Sequence, residues 1–88
     1  MKMDLKKFEE LRNSLSEGDV IGISYSSDYV HEYKVGKLYA GAMDITIETA
    51  YGEAFLYSCD CGKMELRYVA RKKGKKLVNE MEEVKENE

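Results

Sequence analysis

The 88-residue sequence contains no proline and no tryptophan, one histidine and two cysteines. Without proline the chain lacks the residue typical of stiff linkers, and its seven tyrosines favour tightly paired strands instead. No apolar run approaches the ~18 residues that a membrane span requires. The opening MKMDLKKFEEL carries acids where a signal peptide would be apolar. We therefore expect a cytoplasmic protein that does not associate with membranes.

Charge is unevenly distributed around a net value of −3. The stretch from Gly18 to Gly62 holds seven acidic residues and two lysines, whereas the stretch from Lys63 to Lys76 holds seven basic residues and one glutamate. A nucleic-acid partner would use this basic band. Its candidate phosphate contacts are Arg67, Arg71, Lys72, Lys73, Lys75 and Lys76. Because acidic residues on both sides of the band would oppose a polyanion, nucleic-acid binding is the alternative hypothesis rather than the leading one.

Helical spacing of apolar residues appears at both ends of the chain. Near the start, Asp4 can cap a helix and Gly18 can end it, which predicts a helix over residues 4–16. Its apolar stripe consists of Leu5, Phe8, Leu11 and Leu15. The charged tail, 77–88, has the same spacing, but its lysines precede its glutamates, against the helix dipole. We expect a tail helix only where it docks, and we treat 1–76 as one domain.

From Asp19 onward the apolar period changes to two, and five short strands are predicted. In the second strand the apolar phase shifts by one residue after Gly36, which predicts a bulge or sharp bend there. In the last strand the alternation places Leu66, Tyr68 and Ala70 on one face. The expected fold is therefore mainly β, a small five-stranded barrel with an N-terminal helix.

The two cysteines lie in the sequence YSCDCGKMELRY. A structural zinc site usually needs four nitrogen or sulfur ligands, and one chain offers only Cys59, Cys61 and His31. A tight turn in which Gly62 takes a positive φ is the favoured interpretation, with no metal and no cofactor. The alternatives are a mixed site with a carboxylate, or cysteines shared between two chains. No spacing pairs His31 with a nucleophile, so we predict no enzyme activity.

Seven tyrosines are too many for the core of a small barrel, because each hydroxyl needs a partner or water. Some of them must lie at the surface, where aromatic rings serve protein interfaces or stack on bases. Residues of the second strand and its continuation are the candidates for binding a partner: Tyr29, His31, Tyr33 and Tyr39.

The segment VGKLYAGAMDITIET resembles the first sequence motif of the Sm-like proteins, within the wider group of SH3-like small barrels. The residues that carry the resemblance are Gly36, Leu38, Asp44, Ile45 and Ile47. The resemblance implies a small barrel and edge strands that can form a ring.

The leading functional hypothesis is a small, non-enzymatic protein-binding module. It would be an adaptor, a regulator or an inhibitor of the kind that mobile elements encode, and would use exposed tyrosines and strand edges as its contact surface. The partner would be another protein or further copies of the same chain. An Sm-like nucleic-acid binder is the alternative.

Overall fold

The fold is taken from a computed structural model, which describes residues 2–73 and 76–79. One α-helix, α1 (Leu5–Ser14), precedes the strands, and a 3-10 helix (Ser58–Lys63) separates the fourth strand from the fifth. The strands are β1 (Val20–Ser24), β2 (His31–Val35), β3 (Ile45–Thr49), β4 (Gly52–Leu56), β5 (Glu65–Lys73) and β6 (Lys76–Asn79). The expected mainly β class with an N-terminal helix is confirmed.

The strands form one antiparallel sheet in the order β4-β3-β2-β1-β5-β6. The first four strands are neighbours in chain order, and β5 then returns to pair with β1. Within 2–73 and 76–79, no pairing joins β4 to β5 or β6. These pairings therefore give an open sheet whose two edges are β4 and β6, and they do not close it into the expected barrel.

Helix α1 begins and ends close to where the sequence predicts. The Asp4 carboxylate accepts a hydrogen bond from the backbone N–H of Lys7 at 2.8 Å, which satisfies one of the free donors of the first turn. After the helix, Gly18 has a φ of 97°, a conformation that favours glycine. Phe8 and Leu11 are buried, whereas Leu5 is about half exposed. The predicted apolar stripe therefore covers the core with all but its first residue.

The predicted bend at Gly36 is wrong, because β2 ends at Val35. The backbone N–H of Gly36 still donates to the carbonyl of Thr46 at 2.9 Å, and the chain then leaves the sheet until β3 begins at Ile45. The shift in apolar phase after Gly36 therefore marks the end of a strand. It does not mark a bulge within one.

The irregularity in the sheet lies instead between β1 and β5. Ile23 pairs with Leu66 and Gly22 pairs with Tyr68, so Arg67 is an extra residue on β5. The bulge reverses the alternation beyond it, and Val69 is buried while Tyr68 stays partly exposed. The expectation that Tyr68 shares a face with Leu66 is corrected by this one residue.

The core lies between one face of the sheet and helix α1. Its largest fully buried side chains include Phe8 from the helix and Ile21, Ile23, Val35 and Ile45 from the strands. Among the described residues, no helix has the length and the apolar character needed to cross a membrane.

The first residues of the predicted tail helix form part of strand β6 instead. This strand pairs with β5 in antiparallel register, from Lys73 opposite Lys76 to Ala70 opposite Asn79. Residues 77–79 therefore belong to the sheet, because backbone pairing with a neighbouring strand replaces the intrahelical hydrogen bonds that a weak helix would need. The rest of the predicted helix, 80–88, lies outside the described residues.

Candidate functional site

The loop end of the β1–β2 hairpin carries four aromatic side chains, which we call the aromatic cluster: Tyr25, Tyr29, His31 and Tyr33. The strand register explains their position. Ile21 pairs with Tyr33 and Ile23 pairs with His31, so the two β2 rings lie on the face that buries the isoleucines. The cluster is therefore continuous with the core, against which Tyr25 and Tyr33 pack.

His31 lies at the centre of the aromatic cluster. Its ring centroid is 4.7 Å from that of Tyr29 and 5.5 Å from that of Tyr25, both in edge-to-face orientation. It is also 6.1 Å from the ring of Tyr33, and these two rings are nearly parallel. All three separations lie within or close to the favourable range for aromatic pairs. The imidazole is thus held by three tyrosines although it is exposed.

The cluster has a supporting layer and a presented layer. Tyr25 and Tyr33 are partly buried, and their hydroxyl oxygens lie 3.3 Å apart and share a hydrogen bond. Burial raises the pKa of Tyr25 strongly, and the Tyr33 hydroxyl and the nearby Asp60 add to the effect. Tyr29, in contrast, is 69% exposed. Tyr29 and His31 are therefore the rings that an incoming molecule would meet first.

The loop that presents Tyr29 has a defined backbone. Ser26 adopts a φ of 53°, in the left-handed region, and the Ser27 hydroxyl accepts a hydrogen bond from the N–H of Tyr29 at 3.3 Å. This hydrogen bond from a backbone N–H to a serine hydroxyl two residues earlier is typical of a serine turn, and it fixes the backbone at Tyr29 locally.

Tyr39, the fourth residue predicted to bind a partner, lies elsewhere on the surface. Its hydroxyl donates to the Glu53 carboxylate at 3.0 Å, and its carbonyl accepts from Arg12 at 2.7 Å. The ammonium of Lys37 lies 5.5 Å from the centre of its ring. The hydrogen bond to Glu53 raises the pKa of Tyr39. The structure thus brings together three of the four predicted residues and gives Tyr39 separate contacts.

The predicted basic band is partly used within the fold. Arg71 donates to the carbonyl and the hydroxyl of Ser14, at 2.7 and 3.0 Å, and forms an ion pair with the buried Asp19 at 3.5 Å. Arg67 and Lys72 are exposed. Lys63, the first residue of the band, forms an ion pair with Asp60 at 3.8 Å. The side chains of the other three members lie outside the described part of the chain: Lys73, Lys75 and Lys76.

The cysteine segment is a 3-10 helix rather than the predicted tight turn, and Gly62 does not have a positive φ. Cys59 is exposed, Cys61 is buried, and both are free thiols. The N–H of Met64 closes the 3-10 helix on the carbonyl of Cys61 at 3.0 Å. In the part of the chain that the structure describes, no group of three or more His, Cys, Asp or Glu side chains is placed to hold a metal ion.

A shallow groove of about 380 Å³ separates helix α1 from residues 41–43. Phe8 lies at its base, and the exposed Leu5 and Met43 lie on its walls. Arg12 crosses it and donates to the carbonyls of Asp44 and Tyr39, so this guanidinium fastens the loop to the helix.

Sequence reasoning missed the exposed aromatic residues of the edge strand β4. Phe55 is 41% exposed and Tyr57, just beyond the strand, is 50% exposed, with ring centroids 6.3 Å apart. The alternation of these two rings with the buried Leu56 was a usable signal that they lie on the outer face. That β4 is an edge could not be inferred, because strand order depends on pairing between distant segments.

Comparison of the chain with protein-family models, curated proteins and solved structures finds no match.

Proposed function

We propose that this chain is a small, non-enzymatic protein-binding module whose principal contact surface is the aromatic cluster. The observation that carries the proposal is that Tyr29 and His31 are exposed while the Tyr29 ring packs on His31 and the His31 ring packs on Tyr25 and Tyr33. Exposed aromatic rings with fixed orientation are the side chains that most often dominate protein interfaces.

The packing matters because an interface must compensate for the side-chain entropy lost on binding, roughly 0.5–1.5 kcal/mol for each flexible side chain that is immobilised. The rings of the aromatic cluster already restrict one another before any partner arrives. An incoming protein would therefore gain buried aromatic area at a reduced entropic cost.

The charges around the cluster favour a protein over a nucleic acid. Asp28 lies in the loop before Tyr29, and Asp60 is close enough to affect the pKa of Tyr25. These two carboxylates near the rings would repel phosphates, even though the rings themselves could stack on bases. An adaptor, regulator or inhibitor acting on a protein fits this surface best.

We also propose an SH3- or Sm-like relationship and a cytoplasmic location. The support for the first is that β1 pairs with both β2 and β5, which leaves β4 as the strand that would complete a barrel, and that the bulge at Arg67 increases the local twist. The support for the second is that Cys59 and Cys61 are both free, as is usual in a reducing compartment.

The test of the proposed function is affinity capture from a lysate of the source cells with wild type, Tyr29→Ala and Tyr51→Ala. Tyr51 is the matched control, since it is fully exposed and lies outside the aromatic cluster. We expect a specific protein to be retained by wild type and by Tyr51→Ala, and to be lost from Tyr29→Ala. Thermal unfolding must show that all three proteins are folded.

Two outcomes would count against this proposal. If Tyr29→Ala retains the same protein, the aromatic cluster is not part of the binding interface. Recovery of RNA or DNA instead, with binding that falls steeply as salt rises, would favour the nucleic-acid alternative.

A further inference from the structure

Among the described residues, backbone groups of β4 have no hydrogen-bond partner at the open side of the sheet. The carbonyl of Thr46 accepts from Gly36, so the backbone groups of Thr46 point towards β2. Thr46 lies directly opposite Phe55. Because the backbone groups of Thr46 point towards β2, Thr46 and Phe55 form a non-hydrogen-bonded pair of the antiparallel ladder. The N–H and C=O of Phe55 therefore point away from β3, and so do those of Glu53, two residues earlier. We call these four groups the β4 edge.

The two edges of the sheet differ in the features that normally block added strands. Proteins usually protect an edge with lysines, proline or a bulge. The sequence RKKGKK extends from the end of β5 to the first residue of the edge strand β6, whereas β4 contains no lysine, arginine or proline, and the bulge lies on β5. Within the described residues, the β4 edge is thus open and presents the exposed ring of Phe55 beside it.

The charges next to the β4 edge are of one sign. Residues 44–62 contain four acids and no lysine or arginine. Glu48 is paired with Lys34 at 3.2 Å, whereas Glu53 accepts only the hydroxyl of Tyr39 and has no ion-pair partner among the described residues. A carboxylate without a cation therefore stands on the strand whose backbone groups are unpaired.

We propose that the β4 edge binds an extended, lysine- or arginine-bearing segment of a partner protein as an added antiparallel strand. Backbone hydrogen bonds to Glu53 and Phe55 would supply affinity. An apolar side chain on Phe55 and a basic side chain near Glu53 would supply specificity. The inference rests on the proposed function, in that it gives a protein-binding module a second contact surface and a partner chemistry.

A second copy of the chain is the less suitable occupant of the edge. Pairing of β4 with β4 would bring together two strands whose single charged residue is the acid Glu53, and like charges on paired strands are destabilising. A basic segment meets no such penalty.

The experiment is an NMR titration of isotope-labelled protein at low salt with a synthetic octapeptide that alternates lysine and valine, blocked at both ends. We expect saturable shifts of the Glu53 and Phe55 amide signals. Phe55→Pro removes the outward N–H, a loss that edge strands tolerate, together with the exposed ring, and should weaken binding at least tenfold. Glu53→Lys should also weaken it, whereas Glu10→Lys, with the same charge change on helix α1, should not.

Several outcomes would overturn the inference. They are the absence of peptide binding, shifts confined to the aromatic cluster, equal weakening by Glu53→Lys and Glu10→Lys, or dimerisation through β4 in place of peptide binding. If any of these occurs while capture still depends on Tyr29, the edge inference alone fails and the proposed function stands. If the peptide binds the β4 edge but capture does not depend on Tyr29, the proposed function fails and the edge inference stands.

Discussion

At the residue scale, Gly22 shows how a missing side chain organises the outer face of the sheet. Gly22 pairs with Glu32 on one side and with Tyr68 on the other, and the Tyr68 ring lies across it. A Cβ at position 22 would be 2.2 Å from the Cε2 atom of that ring. The space left by the glycine lets the Tyr68 hydroxyl reach across β1 and donate to the Glu32 carboxylate.

Gly22→Ala should therefore destabilise the protein by about 1–3 kcal/mol, the usual range for overpacking. The ring of Tyr68 would have to move, and its hydrogen bond to Glu32 would be lost. The measurement is the free energy of unfolding from denaturant titration, in a double-mutant cycle with Tyr68→Ala. We expect Gly22→Ala to cost much less when Tyr68 is already alanine. Strict additivity would show that the ring is not what Gly22 accommodates.

The same tyrosine gives a pH-dependent effect. Burial, together with the hydrogen bond to Glu32, raises the pKa of Tyr68 to about 12. A tyrosine in the unfolded chain has a pKa of about 10, so the unfolded state loses its proton first. The stability that this residue contributes is complete below pH ~10 and is lost as pH rises through the folded pKa near 12.

Ultraviolet titration of tyrosinate formation measures this directly. Wild type should show late-ionising tyrosines, and Tyr68→Phe should remove one of them and flatten the loss of stability at alkaline pH. A titration of Tyr68→Phe with the same late component as wild type would contradict the assignment.

At the element scale, Asp19 connects three parts of the fold although it lies in no helix or strand. Its side chain is buried, and its carboxylate accepts from the N–H of Ser16 at 2.9 Å and from the N–H of Lys72 at 2.8 Å. Arg71 completes the arrangement at 3.5 Å. The turn after α1, the start of β1 and the end of β5 are thus held by one side chain.

Replacing Asp19 with alanine should lower the free energy of unfolding by about 2–4 kcal/mol, because two backbone donors and a guanidinium lose their shared acceptor. Chemical denaturation measures the change, with Asp28→Ala as a control at an exposed acid that should shift stability by less than about 0.5 kcal/mol. Equal effects of the two substitutions would mean that the carboxylate contacts contribute nothing beyond surface charge.

The elements also show where sequence reasoning succeeds and where it stops. The helix and its cap at Asp4 depend on neighbouring residues, and these predictions are confirmed, as is the mainly β class. Six strands replace the five predicted, and the alternation predicted for the last strand holds only up to the bulge. The bulge at Arg67 depends on how β5 fits against β1, which no local pattern in β5 reports. The shift in apolar phase predicts an irregularity at Gly36. The glycine that the fold requires for packing is instead Gly22, because a Cβ there would clash with the ring of Tyr68.

At the scale of the whole molecule, the candidate surfaces follow from the strand order. Alternation along β2 is enough to place His31 and Tyr33 on one face, and the structure adds Tyr25, the residue that follows β1. The exposed ring of Phe55 becomes a candidate contact for an added strand only because β4 is the last strand of the sheet. The aromatic cluster and the β4 edge are thus separate surfaces with different chemistry.

The central claim is that the chain binds a protein through the aromatic cluster, and the most direct test is calorimetric titration of the purified captured protein into wild type, Tyr29→Ala and Tyr51→Ala. The account predicts that Tyr29→Ala weakens Kd at least tenfold, a loss of about 1.4 kcal/mol. Tyr51→Ala should bind as wild type does, and the melting temperatures of all three proteins should agree. An unchanged Kd for a folded Tyr29→Ala protein would contradict the claim.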